Sequence, residues 1–289
     1  MKVEISIIIP VFEQWGFVPE LVGCLRAQSY SMQGVEILLI DNGSRELSVP
    51  DNLPENVKVL HCDVRGAYAA RNHGIRNSQG QLLIFTDADC LPVDNWLNEV
   101  KGALRSAKTD DVLIAGRVDS ISEWSEPSAY EIFDMVRGIP QAHYVSRGYA
   151  ATANLSVPRK LFDEIGLFDE KLFSGGDAEF CRRATNSGFR IIYKDSAVVR
   201  HRTRASWDEI ATKARRVKGG QLTCKSKRHK LWIYVRTILS PGITAVRLFR
   251  HRKFSLRYRL IASLVYLRVW CVELLEMIRV SFGAEPERR

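Results

Sequence analysis

Two aspartates flank one alanine at Asp87-Ala88-Asp89, directly after the apolar run Gln81–Thr86 (QLLIFT). Carboxylates at that spacing, delivered by a buried strand, can share one divalent cation. Alternatively, one holds the cation while the other takes a ribose hydroxyl. Magnesium and manganese favour carboxylate and phosphate oxygens and keep several waters, so few protein ligands suffice. Standing alone, the triplet would serve equally well as a strand-to-helix turn with an N-cap. A further carboxylate, Asp41, follows the run Val35–Ile40. It can accept from the N–H of a uracil ring or, beside Asn42-Gly43, form an Asx turn. Arg71, on a helix after Gly66, either leans toward phosphates or stands as a surface cation.

The elements that must position these groups are legible as alternating strands and helices. Ile5–Ile9 (ISIII), stopped by Pro10, has the continuous apolar character of a central parallel strand. Phe17–Gln28 is a helix with Val18, Leu21, Val22 and Leu25 on one stripe, and Val35–Ile40 is the next strand. Val57–His61 is a shorter strand, Gly66–Ser78 a helix of small residues, and Gln81–Thr86 a strand running into Asp87. Asp94 is placed to cap a helix that buries Trp96, Leu97, Val100 and Leu104. Leu113–Val118 continues the strand pattern, while the aromatic stretch Glu123–Gly148 is expected to be irregular, a lid or acceptor loop. A helix Arg159–Ile165 follows, then one through Ser187 that starts near Asp177, then short strands Phe189–Tyr193 and Ala197–Val199 ending near His201.

Such repetition implies a parallel sheet covered on both faces, with ligands beyond the carboxyl ends of its strands. Pro10-Val11-Phe12-Glu13, Asp41-Asn42-Gly43 and Asp87-Ala88-Asp89 all fall on that rim. No G-x-G-x-x-G and no G-x-x-x-x-G-K-[ST] is present, so neither usual phosphate cradle is available. A nucleotidyltransferase would carry a Gly-rich, Arg/Lys-containing loop after the first strand, and Pro10–Gly16 lacks it.

The ordered motifs Ile7–Glu13 (IIIPVFE), Leu38–Ser44 (LLIDNGS), Gly66–Gly74 (GAYAARNHG), Leu83–Cys90 (LIFTDADC) and Ser174–Arg183 (SGGDAEFCRR) resemble family 2 glycosyltransferases of the GT-A fold. The resemblance covers roughly residues 4–204. It implies an α/β fold, a mostly parallel sheet flanked by helices. The implied activity is an inverting transfer of a hexosyl type from a nucleotide-diphosphate sugar, with UDP favoured by Asp41. By position, Pro10, Val11, Phe12 and Glu13 would line the nucleobase pocket, with Asp41 and Asn42 at the base and Arg71 near the diphosphate. Asp87 would hold the ribose or a metal-bound water, with Ala88 beside it on the nucleotide. Asp89 and His201 would take Mn²⁺ or Mg²⁺, Asp177 would be the general base, and Asn154 would line the donor and acceptor side. The sequence departs from the family at Gly176, where relatives often carry Glu; Glu179 is a second candidate acid.

Charge divides the chain. Residues 200–289 hold 22 Lys/Arg against 6 Asp/Glu, whereas residues 1–199 hold 20 against 27. The expected organisation is a catalytic domain over 1–204 and a basic, amphipathic helical appendage over 205–289. Leu260–Val280 is interrupted by Arg268, Glu273 and Glu276, so a transmembrane span is not expected. Aromatic, aliphatic and cationic residues interleave there, which suits helices lying in an anionic membrane interface; a helical cap packed on the catalytic domain is the alternative. The six cysteines form no C-x-x-C pair, which argues against a zinc module or disulfide framework and suits a reducing compartment. The opening MKVEISIIIP has the character of a buried strand and not of a signal peptide. A cytoplasmic enzyme, peripheral at the inner face of the cell membrane, is therefore expected, acting on a glycan or lipid-linked acceptor in polysaccharide or glycolipid assembly. Nucleic acid is not an expected partner, because the basic excess is confined to a tail rich in Leu, Ile and Val and no recognition motif is present. A nucleotide-sugar or glycan binder without catalysis is the main competing reading.

Overall fold

A computed structural model describes residues 2–222 and 227–287; Cys224 lies outside the described residues. In chain order the elements are β1 (Ile5–Val11), α1 (Val18–Arg26), β2 (Val35–Asp41), β3 (Val57–His61), α2 (Ala67–Asn77), β4 (Leu82–Phe85), β5 (Cys90–Pro92) and α3 (Trp96–Ala107). They continue with β6 (Val112–Ile121), α4 (Ala129–Arg137), α5 (Gln141–Val145), β7 (Leu155–Pro158), α6 (Arg159–Ile165), α7 (Gly176–Asn186) and β8 (Arg190–Arg202). The helices α8 (Trp207–Leu222), α9 (Lys227–Arg250) and α10 (Leu256–Ser281) follow.

The strands form one sheet in the order β3-β2-β1-β4-β7-β6-β8-β5. β1 is parallel to β2, with Ile5 opposite Val35 and Val11 opposite Asp41. On its other side it is parallel to β4, with Ile8 opposite Phe85. That register lets Val11, Asp41 and the segment after Phe85 leave the sheet at one edge. The sheet is less parallel than expected, because β7 runs antiparallel to both β4 and β6, and β5 antiparallel to β8. β8 is also a single strand of 13 residues, where two short ones were expected. In its polar middle Asp195 takes hydrogen bonds from Arg117 Nη1 at 3.0 Å and Tyr193 Oη at 2.8 Å.

The chain divides into two compact units. The first comprises Met1–Asp119, Ile139–Lys171 and Gly176–His201. Its core gathers Ile5, Ile7 and Ile9 of β1, Val18, Leu21 and Leu25 of α1, and Trp96, Leu97 and Val100 of α3. Each such side chain contributes about 1.5–3 kcal/mol when fully buried. Trp96 buries its indole completely, which requires a partner for the N–H; Nε1 donates to Asn154 Oδ1 at 2.9 Å.

The second unit comprises Ser120–Gly138, Leu172–Gly175 and Arg202–Arg289. Its core joins Ile132, Phe133 and Val136 of α4 to Ile210 and Ala214 of α8 and to Ala262, Val265 and Val269 of α10. Glu123–Gly148 is therefore not irregular throughout. Ser128 and Glu131 make a reciprocal capping box, which satisfies free N–H groups at the start of α4 and nucleates the helix. Among the described residues no helix is long and apolar enough to cross a membrane.

Candidate active site

Every expected site residue lies in the first unit, at or behind the edge where β1, β2 and β4 end. Asp41 is buried at the end of β2 with its carboxylate fully engaged. Trp15 Nε1 donates to Oδ1 at 3.1 Å, Ser44 N–H to Oδ1 at 3.3 Å and Gly43 N–H to Oδ2 at 3.2 Å. His61 Nδ1 stands 2.9 Å from Oδ2. Burial pushes this carboxyl up, but the hydrogen bonds from Ser44, Trp15 and Gly43 outweigh it and hold the group below the ordinary range. Trp15 is buried, whereas His61 is exposed, at 58% of its side chain.

Asn42 is a buried clasp. Its Nδ2 donates to the Cys62 and Val64 carbonyls at 3.1 and 2.7 Å, and Oδ1 accepts the Gly66 N–H at 2.8 Å. These bonds fix the loop that launches α2. Val11 is buried in the core, Pro10 and Phe12 are half-buried, and Glu13 is exposed with φ 55°. Glu13 ties neighbouring loops together: its N–H donates to Ser44 Oγ and its Oε1 accepts the Arg45 N–H, both at 3.0 Å.

α2 carries Arg71 to the end of β4, where Nη2 meets Asp87 Oδ1 at 2.5 Å. Arg71 is buried, whereas Asp87 keeps 30% of its side chain exposed. Burial pushes the Asp87 carboxyl up, the Arg71 guanidinium pulls it back, and Asp89 pushes it up again. Ala88 is fully buried and brings no side chain to the site. Asp89 is the less exposed of the two aspartates, at 14% of its side chain against 30% for Asp87, and His201 Nε2 stands 3.5 Å from its Oδ2. Gln14 Nε2 reaches the same oxygen at 3.5 Å.

Asp89, His201 and Cys90 place three ligand atoms within 4.8 Å of one another. Burial, with Asp89 and Asp87 close by, pushes the Cys90 thiol well up. The remaining carboxylate and imidazole suit Mn²⁺ or Mg²⁺ better than a thiophilic ion. The donor set fits a hard divalent cation held by few protein ligands.

Asp177 sits in the first turn of α7. Its Oδ2 accepts the Thr152 N–H at 3.1 Å and the Thr152 hydroxyl at 3.3 Å. Its Oδ1 is buried without a hydrogen-bond partner, and so is Arg71 Nε. Buried polar atoms without partners are rare and mark places where a ligand completes the network. Glu179 is committed elsewhere, paired to Arg183 Nε at 2.6 Å.

Asn154 differs from expectation. Its side chain is fully buried, with Oδ1 accepting from Trp96 and Nδ2 donating to the carbonyls of Arg117 and Ala197, each at 2.9 Å. The whole amide is used in the framework, so it braces the floor of the site and has no group left for a sugar. Sequence reasoning missed Trp15, His61, Tyr68 and Thr152, because no local pattern marks residues that act through tertiary hydrogen bonds.

A mixed sheet of this order, flanked by helices, is the architecture of a GT-A transferase. The chain belongs to glycosyl transferase family 2, whose family model matches residues 6–168. It is 30% identical over 228 residues to the glycosyltransferase AglE of Haloferax volcanii, covering 75% of this chain and 73% of AglE. It is 28% identical to the pre-mycofactocin glycosyltransferase of Mycobacterium tuberculosis over 78% of this chain, and spans only 48% of that relative. A Methanococcus voltae dolichyl N-acetyl-alpha-D-glucosaminyl phosphate 3-beta-D-2,3-diacetamido-2,3-dideoxy-beta-D-glucuronosyltransferase is 28% identical, covering 70% of this chain and 68% of its own. Among solved structures, S. aureus TarS 1-349 in complex with UDP-GlcNAc matches at TM-score 0.55 and 17% identity, over 96% of this chain and 81% of that one. GalNAc-T7 with UDP, GalNAc and Mn²⁺ matches at TM-score 0.56 and 19% identity, over 81% and 50%. The protein is a glycosyltransferase.

Proposed function

We propose that this enzyme transfers a sugar with inversion from a UDP-sugar to a hydroxyl of a glycan or lipid-linked acceptor, with Asp177 as general base. The observation that carries the reading is the pair of buried, unpartnered atoms, Asp177 Oδ1 and Arg71 Nε, behind the Asp87-Ala88-Asp89 rim. Thr152 orients the Asp177 carboxylate through Oδ2 and leaves Oδ1 to take the acceptor proton. Arg71, already held by Asp87, offers its remaining N–H to the diphosphate. Asp89 and His201 would hold Mn²⁺ or Mg²⁺, which when bound neutralises charge on the leaving diphosphate. Asp41 reads the base, and a ring N–H reaching it replaces the exposed His61. A binder without catalysis has no use for a carboxylate oriented on one oxygen and unpaired on the other. The test is a thermal-shift panel of UDP, UDP-GlcNAc, UDP-glucose and UDP-galactose with Mn²⁺ or Mg²⁺, followed by UDP-release assays. Absence of stabilisation by every member would overturn the UDP assignment.

In this reading residues 1–204 do the chemistry and residues 205–289 hold the enzyme on the cytoplasmic face of the cell membrane. α9 supports it: Trp232, Val235, Leu239, Ile243, Val246 and Phe249 recur at helical spacing and are all exposed, 44–58% each. The other face of α9, with Ile233, Thr237 and Leu248, is buried. Exposed Arg236, Arg247 and Arg250 flank the apolar stripe, the charge that anionic headgroups attract. A lipid-linked acceptor is in keeping with the dolichyl phosphate named for the Methanococcus relative. Co-sedimentation with phosphatidylglycerol vesicles tests this: binding should be lost in the Val235→Glu, Val246→Glu double variant. A wild-type protein that stays in the supernatant would refute membrane contact.

A further inference from the structure

The departure at Gly176 is matched by a side chain far away in sequence. A Cβ at position 176 would lie 2.6 Å from both Cε2 and Cζ of Tyr68 and 3.0 Å from Cδ2. That ring has little room to yield. It is buried, stacks on Phe168 at 5.9 Å between centroids, and carries the Arg71 guanidinium 5.8 Å from its centre. Phe168 in turn packs on Phe85, Phe162 and Phe180, so Tyr68 is anchored in an aromatic cluster. Its hydroxyl oxygen accepts the Gly176 N–H at 2.9 Å and the Asp177 N–H at 3.3 Å. These are unpaired donors of the first turn of α7, which carries Asp177. Burial, with Asp177 close by, pushes the phenol far above its ordinary value, so it stays neutral and supplies a hydroxyl and not a second anion beside the carboxylate.

We infer that Tyr68 is the positioning residue of the general base: its ring takes the volume a side chain at 176 would need, and its hydroxyl pins the peptide that carries Asp177. The inference rests on the reading of Asp177 as base. One ring touches both working groups, since it also lies against Arg71, and so sets the distance between the diphosphate anchor and the proton acceptor. A carboxylate at 176 is sterically excluded while Tyr68 is present, and the site works with one acid at the start of α7. A misplacement of about 1 Å in such a group can cost about 100-fold in rate.

The test is Tyr68→Phe, which keeps the ring and removes the hydroxyl. UDP release from the best donor of the panel above should show kcat lowered about tenfold or more, with donor KM little changed. Hydrogen exchange at the Gly176 and Asp177 amides, which needs no donor, should quicken. Wild-type kcat and wild-type exchange in Y68F would overturn the inference. The steric half is tested by Gly176→Ala, which should lower kcat in the parent but cost little more in a Tyr68→Ser background. Equal losses in both backgrounds would also overturn it. Asp177→Asn measured in parallel separates the two readings: normal turnover there removes the base, whereas an inactive D177N beside a normal Y68F removes only the role of Tyr68.

Discussion

His201 Nε2 stands 3.5 Å from Asp89 Oδ2, and the sheet alone makes that pairing. β5 and β8 run antiparallel with Cys90 directly opposite His201, so the imidazole arrives beside the acidic triplet from the far end of the catalytic unit. If both residues hold the cation, Asp89→Ala and His201→Ala should each weaken Mn²⁺-dependent UDP binding. The loss should reach at least the roughly tenfold that removal of even an outer-shell partner costs. Calorimetric titration of UDP with and without Mn²⁺ measures it; an unchanged affinity in His201→Ala would take that residue out of the set.

Asp177→Asn preserves shape and the acceptor for Thr152 but cannot take a proton. Turnover should fall about 100- to 10,000-fold while UDP affinity stays within about threefold. A parallel loss of affinity would mean that the carboxylate binds donor and does not act as base.

Arg71 is buried and its partner Asp87 is half-buried, so removing the arginine leaves a carboxylate that water compensates only in part. Arg71→Met should cost about 1.5–3 kcal/mol, read as a lower midpoint in urea unfolding. Adding Asp87→Asn should restore part of the loss, because the orphaned charge then disappears. A double variant less stable than Arg71→Met would contradict this account.

Stability should depend on pH through Lys213 in the helical unit. Burial pulls its amine down to about 7; Arg204 adds to the pull, Asp134 opposes it, and Arg137 and Arg216 lower it further. The folded value lies below the unfolded one of about 10.4, so between these limits the unfolded chain holds a proton that the folded chain has released. Stability contributed by this group therefore rises as pH climbs through that window. Lys213→Met should raise Tm most near pH 6 and least near pH 10, and an equal rise at both would refute the assignment.

Several features were legible in the sequence because they are local. Continuous apolar runs defined β1, β2 and β4, and the acidic triplet is contiguous with the strand that delivers it. The antiparallel half was not legible. Cys90-Leu91-Pro92 is too short to show a period, and β8 carries charges in mid-strand that resemble a break. α4 was hidden although its capping signature, Ser128 and Glu131 three residues apart, was present. Asn154 illustrates the remaining limit: an amide in an apolar segment has the same sequence signature whether it faces a ligand or locks the core. By itself the sequence determined the class of the protein and which carboxylates stand at the ends of its strands. Only the tertiary structure decided that His201 joins Asp89, that Thr152 orients Asp177, and that Tyr68 fills the place Gly176 leaves. Those relationships are set by strand register and by volume, and neither is written in any local stretch of chain.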